Sequence, residues 1–204
     1  MIKNIIFDIG NVLLNWKPEE YLKQKGIESN KILEVHNELF KSEEWGMLDR
    51  GTIREEEARN IIINRSRENG HLIKLAFENW YEMFTPIEDS VTILKSAKNA
   101  GYNVYYLSVF HLLAFENVTK RYNFFELFDG GVASYEAKQV KPEEGIYKLL
   151  IEKYTIKPEE SIFIDDSEAN IEAAKKLNFN TVHLENPKDL RGKLRTYNIN
   201  FLKI

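Results

Sequence analysis

Short apolar runs that end at a polar residue recur along this chain, and they constrain its fold more than any other feature. The runs and the residues that close them are Ile5-Ile6-Phe7 before Asp8, Val104-Tyr105-Tyr106-Leu107 before Ser108, Val132-Ala133-Ser134 ahead of Lys141, and Ile162-Phe163-Ile164 before Asp165 and Asp166. Ligands of an open parallel sheet bind outside the carboxyl ends of its strands. If these runs are parallel strands, three carboxylates, a hydroxyl and an ammonium converge on one crevice that suits magnesium and a phosphoryl group.

Strand-like and helical segments alternate from Pro86 onward. Predicted helices cover residues 87–100, 112–122, 143–154 and 168–177, and predicted strands cover 103–107, 131–134, 161–164 and 181–184. Such alternation is typical of a parallel sheet with helices on its faces. The predicted fold class is therefore α/β, a Rossmann-like core of three layers.

A helical segment separates the first strand from the rest of this pattern. Between residues 17 and 85 the sequence favours helices over 18–25, 30–41, 52–67 and 71–84, and strand-like runs are nearly absent. We therefore predict an α/β core formed by residues 1–16 and 86–204, interrupted by a helical insert at 17–85.

Composition narrows the class of protein. The 204 residues are 43% hydrophobic and 29% charged with a net charge of −4, which gives no sign of a nucleic-acid or anionic-membrane partner. The absence of cysteine excludes disulfides, thiolate metal sites and cysteine nucleophiles, and fits a cytoplasmic protein. The N-terminus lacks the apolar length of a signal peptide, and no run reaches the roughly 20 apolar residues of a membrane span.

The acidic residues each allow two interpretations. Asp8 suits a hard cation or a nucleophile, or it caps a turn, and Gly10 would let the backbone turn sharply beside a ligand. Asp165 and Asp166 are adjacent, so their side chains diverge: one reaches the ion while the other anchors the loop or Lys141. The alternative is an acidic pair at a helix N-terminus.

The remaining candidate site residues are Ser108, Val109, Lys141 and His111. Ser108, with the amide of Val109, would bind a phosphate oxygen, or Ser108 would cap the helix that follows. Lys141 would neutralise phosphate charge, or lie on the surface. We expect His111 to face the crevice because it follows Ser108 closely.

The three tryptophans, Trp16, Trp45 and Trp80, are interpreted first as packing residues. Trp16 and Trp45 are also, with Lys17 and Arg50, candidate contacts from the helical insert to the crevice.

These ordered motifs resemble the haloacid dehalogenase-like hydrolase superfamily. The motifs are Phe-Asp-Ile-Gly-Asn-Val-Leu at 7–13, Tyr-Leu-Ser at 106–108, Val-Lys-Pro at 140–142 and Phe-Ile-Asp-Asp-Ser-Glu-Ala-Asn at 163–170. The resemblance covers essentially the whole chain, and the insert at 17–85 is similar to the superfamily's cap domain. The Asp-x-Gly-Asn-Val form is similar to a branch of sugar-phosphate phosphatases that includes glucose-1-phosphate phosphatases.

The resemblance implies a magnesium-dependent phosphatase acting on a small phosphorylated metabolite. Asp8 would take the phosphoryl group as an aspartyl phosphate, and Asp8, Asp166 and the carbonyl of Gly10 would hold Mg²⁺. Asp165 would support these ligands without binding the metal itself, or would exchange roles with Asp166.

The phosphoryl group would be bound by residues that follow the other strands. Ser108, the Val109 amide and Lys141 would contact it, and Lys141 would also orient the acids. His111 is a further substrate contact. The oligomeric state, monomer or homodimer, stays open.

Two departures from the superfamily's pattern leave other functions open. Family phosphatases usually carry an acid–base aspartate where this chain has Gly10, and this branch more often has asparagine where it has Val109. One alternative is a catalytically degenerate protein that binds a phosphorylated ligand or a partner without turnover. The other is a 2-haloacid dehalogenase, which needs no metal and would leave the pair Asp165 and Asp166 without a cation.

Overall fold

A sheet of five parallel strands forms the centre of the computed structural model, which describes residues 1–199. The strands are β1 (Asn4–Phe7), β2 (Asn103–Ser108), β3 (Gly130–Ala133), β4 (Ser161–Asp165) and β5 (Asn180–His183). Their order across the sheet is β3-β2-β1-β4-β5, with every neighbouring pair parallel. The predicted α/β class is confirmed.

Helices account for most of the remaining described chain. They are α1 (Pro18–Gln24), α2 (Ser29–Phe40), α3 (Glu43–Asp49), α4 (Glu55–Arg65), α5 (Gly70–Phe77), α6 (Glu88–Asn99), α7 (Leu112–Arg121), α8 (Ser134–Ala137), α9 (Glu144–Tyr154), α10 (Glu168–Lys176) and α11 (Leu190–Arg195). Short 3-10 turns cover Trp80–Met83, Asn123–Leu127, Pro158–Glu160 and Pro187–Asp189. Within residues 1–199, none of the helices has the length and apolar character needed to cross a bilayer.

Both faces of the sheet are covered, which explains why its strands are continuous apolar runs. Successive side chains of a strand point to opposite faces. In β1, Ile5 and Phe7 therefore belong to one core and Ile6 to the other. Tyr147 of α9 and Ile171 of α10 share the core of Ile6. Helices α6, α7 and α11 contribute side chains to the core of Ile5 and Phe7, which gives three layers.

The helical segment at 17–85 contains α1 to α5, and its interior joins the core of Ile5 and Phe7 in one cluster. The sequence interpretation missed α3. Its start has a recognisable signal, because the hydroxyl of Ser42 accepts a hydrogen bond from the amide of Trp45 at 3.1 Å. That the segment is a separate cap domain stays a prediction.

The strand register places the predicted polar residues side by side. Phe7 of β1 is level with Tyr106 of β2 and with Ile164 of β4. The residues that follow these positions, Asp8 and Asp165 among them, therefore lie together at the carboxyl edge of the sheet, the edge at which parallel sheets bind ligands.

Candidate active site

Three carboxylates meet at the carboxyl edge of the sheet. One oxygen from each of Asp8, Asp165 and Asp166 lies within 4.8 Å of the other two. Asp165 is completely buried, Asp8 is buried and Asp166 is half-buried. Three carboxylates this close repel one another unless cations balance their charge.

Lys141 supplies one balancing charge. Its Nζ lies 2.9 Å from Oδ1 of Asp8 and 2.6 Å from Oδ2 of Asp165, with 2% of its side chain exposed. Burial alone lowers the pKa of Lys141, but the neighbouring carboxylates of Asp8 and Asp165 outweigh burial and raise the pKa. Lys141 is thus a charged residue of the site, and the alternative of a surface lysine is wrong.

Asp8 is held by the residue that follows it and by the last residue of β2. Its Oδ1 accepts hydrogen bonds from the amide of Ile9 and from the hydroxyl of Ser108, both at 2.7 Å. Burial raises the pKa of Asp8 to about 7; Lys141 opposes this effect and the charge of Asp165 adds to it. Ser108 does not cap α7, because His111 occupies the N-cap position of that helix.

The adjacent acids diverge as predicted from strand geometry. Oδ1 of Asp165 accepts hydrogen bonds from the amide of Ser167 (2.8 Å) and the side-chain amide of Asn170 (2.9 Å), while its Oδ2 contacts Lys141. Asp166, by contrast, lines the cavity beside Asp8. Asp165 therefore anchors the start of α10 and the lysine, and Asp166 remains available to a ligand.

Asn11 is a site residue that the sequence interpretation missed. Its Nδ2 donates to Oδ2 of Asp166 at 2.9 Å, and its Oδ1 accepts from the amide of Trp16 at 3.1 Å. Its φ of 54° lies in the left-handed region, whereas Gly10 lies outside that region. The sharp turn expected at Gly10 is therefore at Asn11, and asparagine is among the few non-glycine residues that adopt this conformation readily.

A cavity of about 410 Å³ opens from the carboxylates, and its walls come from both the sheet and the helical segment. Gly10, Val109 and His111 line it, as do Trp16 and Trp45 from among the four further contacts that the sequence suggested. Two of the proposed contacts, Lys17 and Arg50, line neighbouring cavities that share residues of the site. Lys17 forms an ion pair with Glu20 at 3.1 Å, and Arg50 forms a bidentate ion pair with Glu143 at 2.6 and 2.9 Å. Neither Lys17 nor Arg50 lines the cavity of about 410 Å³.

His111 lies close to an acid that the sequence interpretation did not consider. Its Nε2 is 2.9 Å from Oδ1 of Asp49, the last residue of α3, although the angle is unsuitable for a hydrogen bond. The ring of His111 packs against Trp45 and Trp80, with centroid distances of 4.4 and 5.1 Å. Asp49 was missed because α3 was missed.

The donor set fits a divalent cation. When all three carboxylates are ionised, the one ammonium leaves two negative charges at the site, which a divalent cation balances. Carboxylate oxygens are ligands that Mg²⁺ prefers, and Mg²⁺ is commonly held by one or two of them together with water and substrate phosphate. Asp8 and Asp166, which both line the cavity, are placed to supply two such ligands.

Comparison with known families decides the class of protein. Residues 2–178 match the family model described as haloacid dehalogenase-like hydrolase. The chain belongs to the haloacid dehalogenase-like hydrolase family. The resemblance of its motifs to that family is confirmed, and this hydrolase carries Asp8 at the end of its first strand.

Solved structures and relatives agree with this assignment. The hydrolase superposes with a TM-score of 0.70 on a HAD family enzyme of Bacteroides thetaiotaomicron, solved with magnesium and inorganic phosphate; the two are 28% identical, over 89% of this chain and 93% of that one. A predicted HAD-like family hydrolase of Porphyromonas gingivalis has the same fold, with a TM-score of 0.70 at 24% identity over 98% of this chain and all of that one.

Three curated relatives are about equally distant in sequence. A sesquiterpene phosphatase of Aspergillus oryzae is 25% identical over 89% of both chains. A D-ribitol-5-phosphate phosphatase of Bacteroides thetaiotaomicron is 24% identical over 95% of this chain and 97% of its own length. Drimenol cyclase of Aspergillus calidoustus is 25% identical over 95% of this chain, which spans only 36% of the cyclase.

Proposed function

We propose that this hydrolase is a magnesium-dependent phosphatase that cleaves phosphate monoesters of small metabolites. The observation that carries the proposal is the contact of one buried carboxylate, Asp8, with both a hydroxyl and an ammonium. Ser108 and Lys141 lie 2.7 and 2.9 Å from the same oxygen of Asp8. A nucleophile in this setting has both a hydrogen-bond donor and a positive charge beside the point of attack.

The metal site of the proposal consists of Asp8, Asp166 and the backbone carbonyl of Gly10. Asp165 holds Lys141 and the start of α10 instead of reaching into the cavity. Magnesium, when bound, supplies positive charge that offsets the charge of phosphate and carboxylates. The solved neighbour with magnesium and inorganic phosphate supports magnesium as the cation.

The proposed chemistry has two steps on Asp8. A carboxylate oxygen of Asp8 attacks phosphorus, the bond from phosphorus to the ester oxygen breaks, and an aspartyl phosphate forms. Water then attacks phosphorus, which releases phosphate and regenerates the carboxylate. Ser108 and the amide of Val109 bind phosphoryl oxygens, and the ammonium of Lys141 balances their charge.

The leaving alcohol requires a proton, and position 10 offers no carboxylate. We assign this role to Asp49, which lines the cavity and has its Oδ1 atom 2.9 Å from Nε2 of His111. General acid–base assistance of this kind contributes about 10²–10⁴-fold to a rate.

The two phosphatase relatives favour different substrate classes. The sequence predicts a sugar phosphate, and the similarity to a D-ribitol-5-phosphate phosphatase supports that class. The similarity to a sesquiterpene phosphatase supports an apolar alcohol instead. Location in the cytoplasm and the absence of nucleic-acid and membrane partners stay predictions.

Hydrolysis of nitrophenyl phosphate by the purified protein with magnesium tests the proposal. We expect turnover that a chelator removes and that Asp8→Asn lowers by about 10⁴-fold or more. Asp89→Asn, at an exposed aspartate of α6, is the control and should leave the rate unchanged. Equal turnover by wild type and Asp8→Asn would refute the mechanism. Binding of phosphate esters without turnover would favour the degenerate alternative, and halide release in chelator the dehalogenase.

A further inference from the structure

Aromatic rings form a large part of the lining of the cavity. The phenyl and indole rings that line it are Trp16, Phe40, Trp45, Trp80, Phe84 and Phe110. The first five of these belong to the helical segment or, in the case of Trp16, lie at its edge, and the chain's three tryptophans are all among them. We call this set the aromatic wall.

The rings of the aromatic wall pack on one another and form a continuous surface. Trp16 stacks on Phe84 with a centroid distance of 5.3 Å, and the ring of Phe40 meets it edge-on at 5.5 Å. Trp45 lies 4.9 Å from Trp80. Trp45, Trp80 and Phe84 are buried, while Trp16 and Phe40 are only half-buried. Trp16 and Phe40 therefore keep ring surface that a ligand can cover.

The polar side chains that line the cavity beside these rings are His36, Lys41, Asp49 and His111, and they are fewer than the rings. The indole N–H of Trp80 is already engaged. Nε1 of Trp80 donates to Glu55 at 3.0 Å. A polyhydroxylated ligand needs a hydrogen-bond partner for each hydroxyl that it buries, because an unpaired buried hydroxyl loses its hydration without compensation. Phenyl rings and ring faces of tryptophan offer no such partners, whereas they stack well on apolar or aromatic groups.

We propose that the substrate is a phosphate monoester of an apolar alcohol, whose organic part lies on the aromatic wall, in preference to a sugar phosphate. The proposal rests on the phosphatase function proposed above, and it assigns Trp16 and Phe40 as the residues that determine specificity. The phosphate lies against Asp8 and Lys141 at one end of the cavity, and the body of the alcohol contacts Trp16 and Phe40. A cavity of about 410 Å³ is within the size range of small-molecule sites.

A pair of esters with matched leaving groups tests the preference. Naphthylethyl phosphate and a hexose phosphate esterified at its primary hydroxyl differ in polarity but not in the type of alcohol released. We expect kcat/KM to be about 100-fold higher for naphthylethyl phosphate. A higher value for the hexose phosphate would overturn the inference and leave the phosphatase function intact. If neither ester is hydrolysed, the phosphatase function is refuted. The preference for an apolar ligand is then tested by binding.

Binding is measured through the tryptophans themselves, because all three line the cavity. We expect naphthylmethylphosphonate, which cannot be hydrolysed, to change tryptophan fluorescence and to bind at least about tenfold more tightly than inorganic phosphate in the presence of magnesium. Equal affinity for the two would overturn the inference, whatever the activity.

Variants of the wall separate specificity from catalysis. Phe40→Ala should raise KM for naphthylethyl phosphate by about 10- to 100-fold, and lower kcat/KM for this ester by at least about tenfold more than for methyl phosphate. Leu33→Ala, at a residue of the same helix that is 63% exposed, is the control. If Phe40→Ala does not fold, Phe40→Leu and Trp16→Leu test the same contact with smaller loss of volume. Unchanged selectivity in the folded variants would contradict the role of the wall.

Discussion

The Nε2 atom of His111 lies 2.9 Å from the Oδ1 atom of Asp49, although the two residues come from different parts of the fold. His111 stands at the start of α7, just after β2, and Asp49 ends α3 in the helical segment. Their contact places a carboxylate at the cavity of a site that lacks one at position 10. It is the basis of the first two predictions.

Asp49→Asn should lower kcat for alkyl phosphates by about 10²-fold, because an amide cannot protonate the departing alkoxide. Nitrophenyl phosphate releases a weakly basic phenolate that needs little protonation, so its kcat should fall by less than about threefold. Steady-state rates on the two esters give the comparison, with Glu43→Gln, at an exposed acid of the same helix, as the control. An equal loss on both esters would assign Asp49 a structural role.

Gly10→Asp should restore alkyl phosphate turnover to the Asp49→Asn variant. A Cβ atom added at Gly10 has no heavy atom within 4 Å, so the new side chain has room beside Asp8. We expect recovery of about tenfold or more in kcat in the double variant, since the added carboxylate replaces the missing proton donor. Gly10→Asn in the same background should give none. Equal rates for the two double variants would show that position 10 cannot supply the proton.

Asn11→Gly should weaken magnesium binding by about 10- to 100-fold, because the hydrogen bond that orients Asp166 is lost while the left-handed backbone is kept. Isothermal calorimetry with magnesium measures the affinity without requiring turnover. Asn178→Gly is the matched control, since Asn178 has φ of 65° after α10 but does not line the cavity. A normal magnesium affinity in Asn11→Gly would contradict the role given to Asn11.

Acid should remove the contribution of Glu44 to stability. Burial alone raises the pKa of Glu44, but two hydrogen bonds of 2.8 Å from Arg65 outweigh it and hold the pKa below its usual value. Because the pKa of Glu44 is lower in the folded than in the unfolded state, its ionised form stabilises the fold at pH values above the unfolded-state pKa of about 4.3. This stabilisation is lost as the pH falls through the folded-state pKa.

Glu44→Gln should therefore lower the free energy of unfolding by about 0.5–1 kcal/mol at neutral pH, a modest value because Arg65 is half-exposed. The difference from wild type should shrink below about pH 4, as measured by urea unfolding across pH. Glu43→Gln tests whether a neighbouring exposed acid behaves in the same way. A difference that grows on acidification would reverse the assigned sign.

The sheet and its carboxyl edge could be predicted from the sequence because their signals are local. Ile5-Ile6-Phe7 and Ile162-Phe163-Ile164 are buried on both faces, so each is an uninterrupted apolar run. Parallel strands end at the same edge, and Asp8 and Asp165 follow directly from that rule. The different roles of Asp165 and Asp166 could also be predicted from local sequence, because adjacent side chains of a strand point in opposite directions.

The other half of the cavity depends on contacts between distant parts of the chain. Asn11 reaches Asp166 across 155 positions of sequence, and Asp49 meets His111 only because α3 packs beside the start of α7. The turn at Asn11 was assigned to Gly10, since either residue tolerates a tight turn and only the backbone angle distinguishes them.

The sequence by itself determined the α/β class, the strand ends and the acids, hydroxyl and lysine that follow them, because apolar runs and the residues that close them are fixed by local patterning. Only the tertiary structure decided that Trp16, Trp45 and Trp80 line the cavity beside the carboxylates as well as pack on one another. An aromatic side chain is equally suited to a core and to a binding surface, and which of these it serves depends on the residues that pack around it in three dimensions.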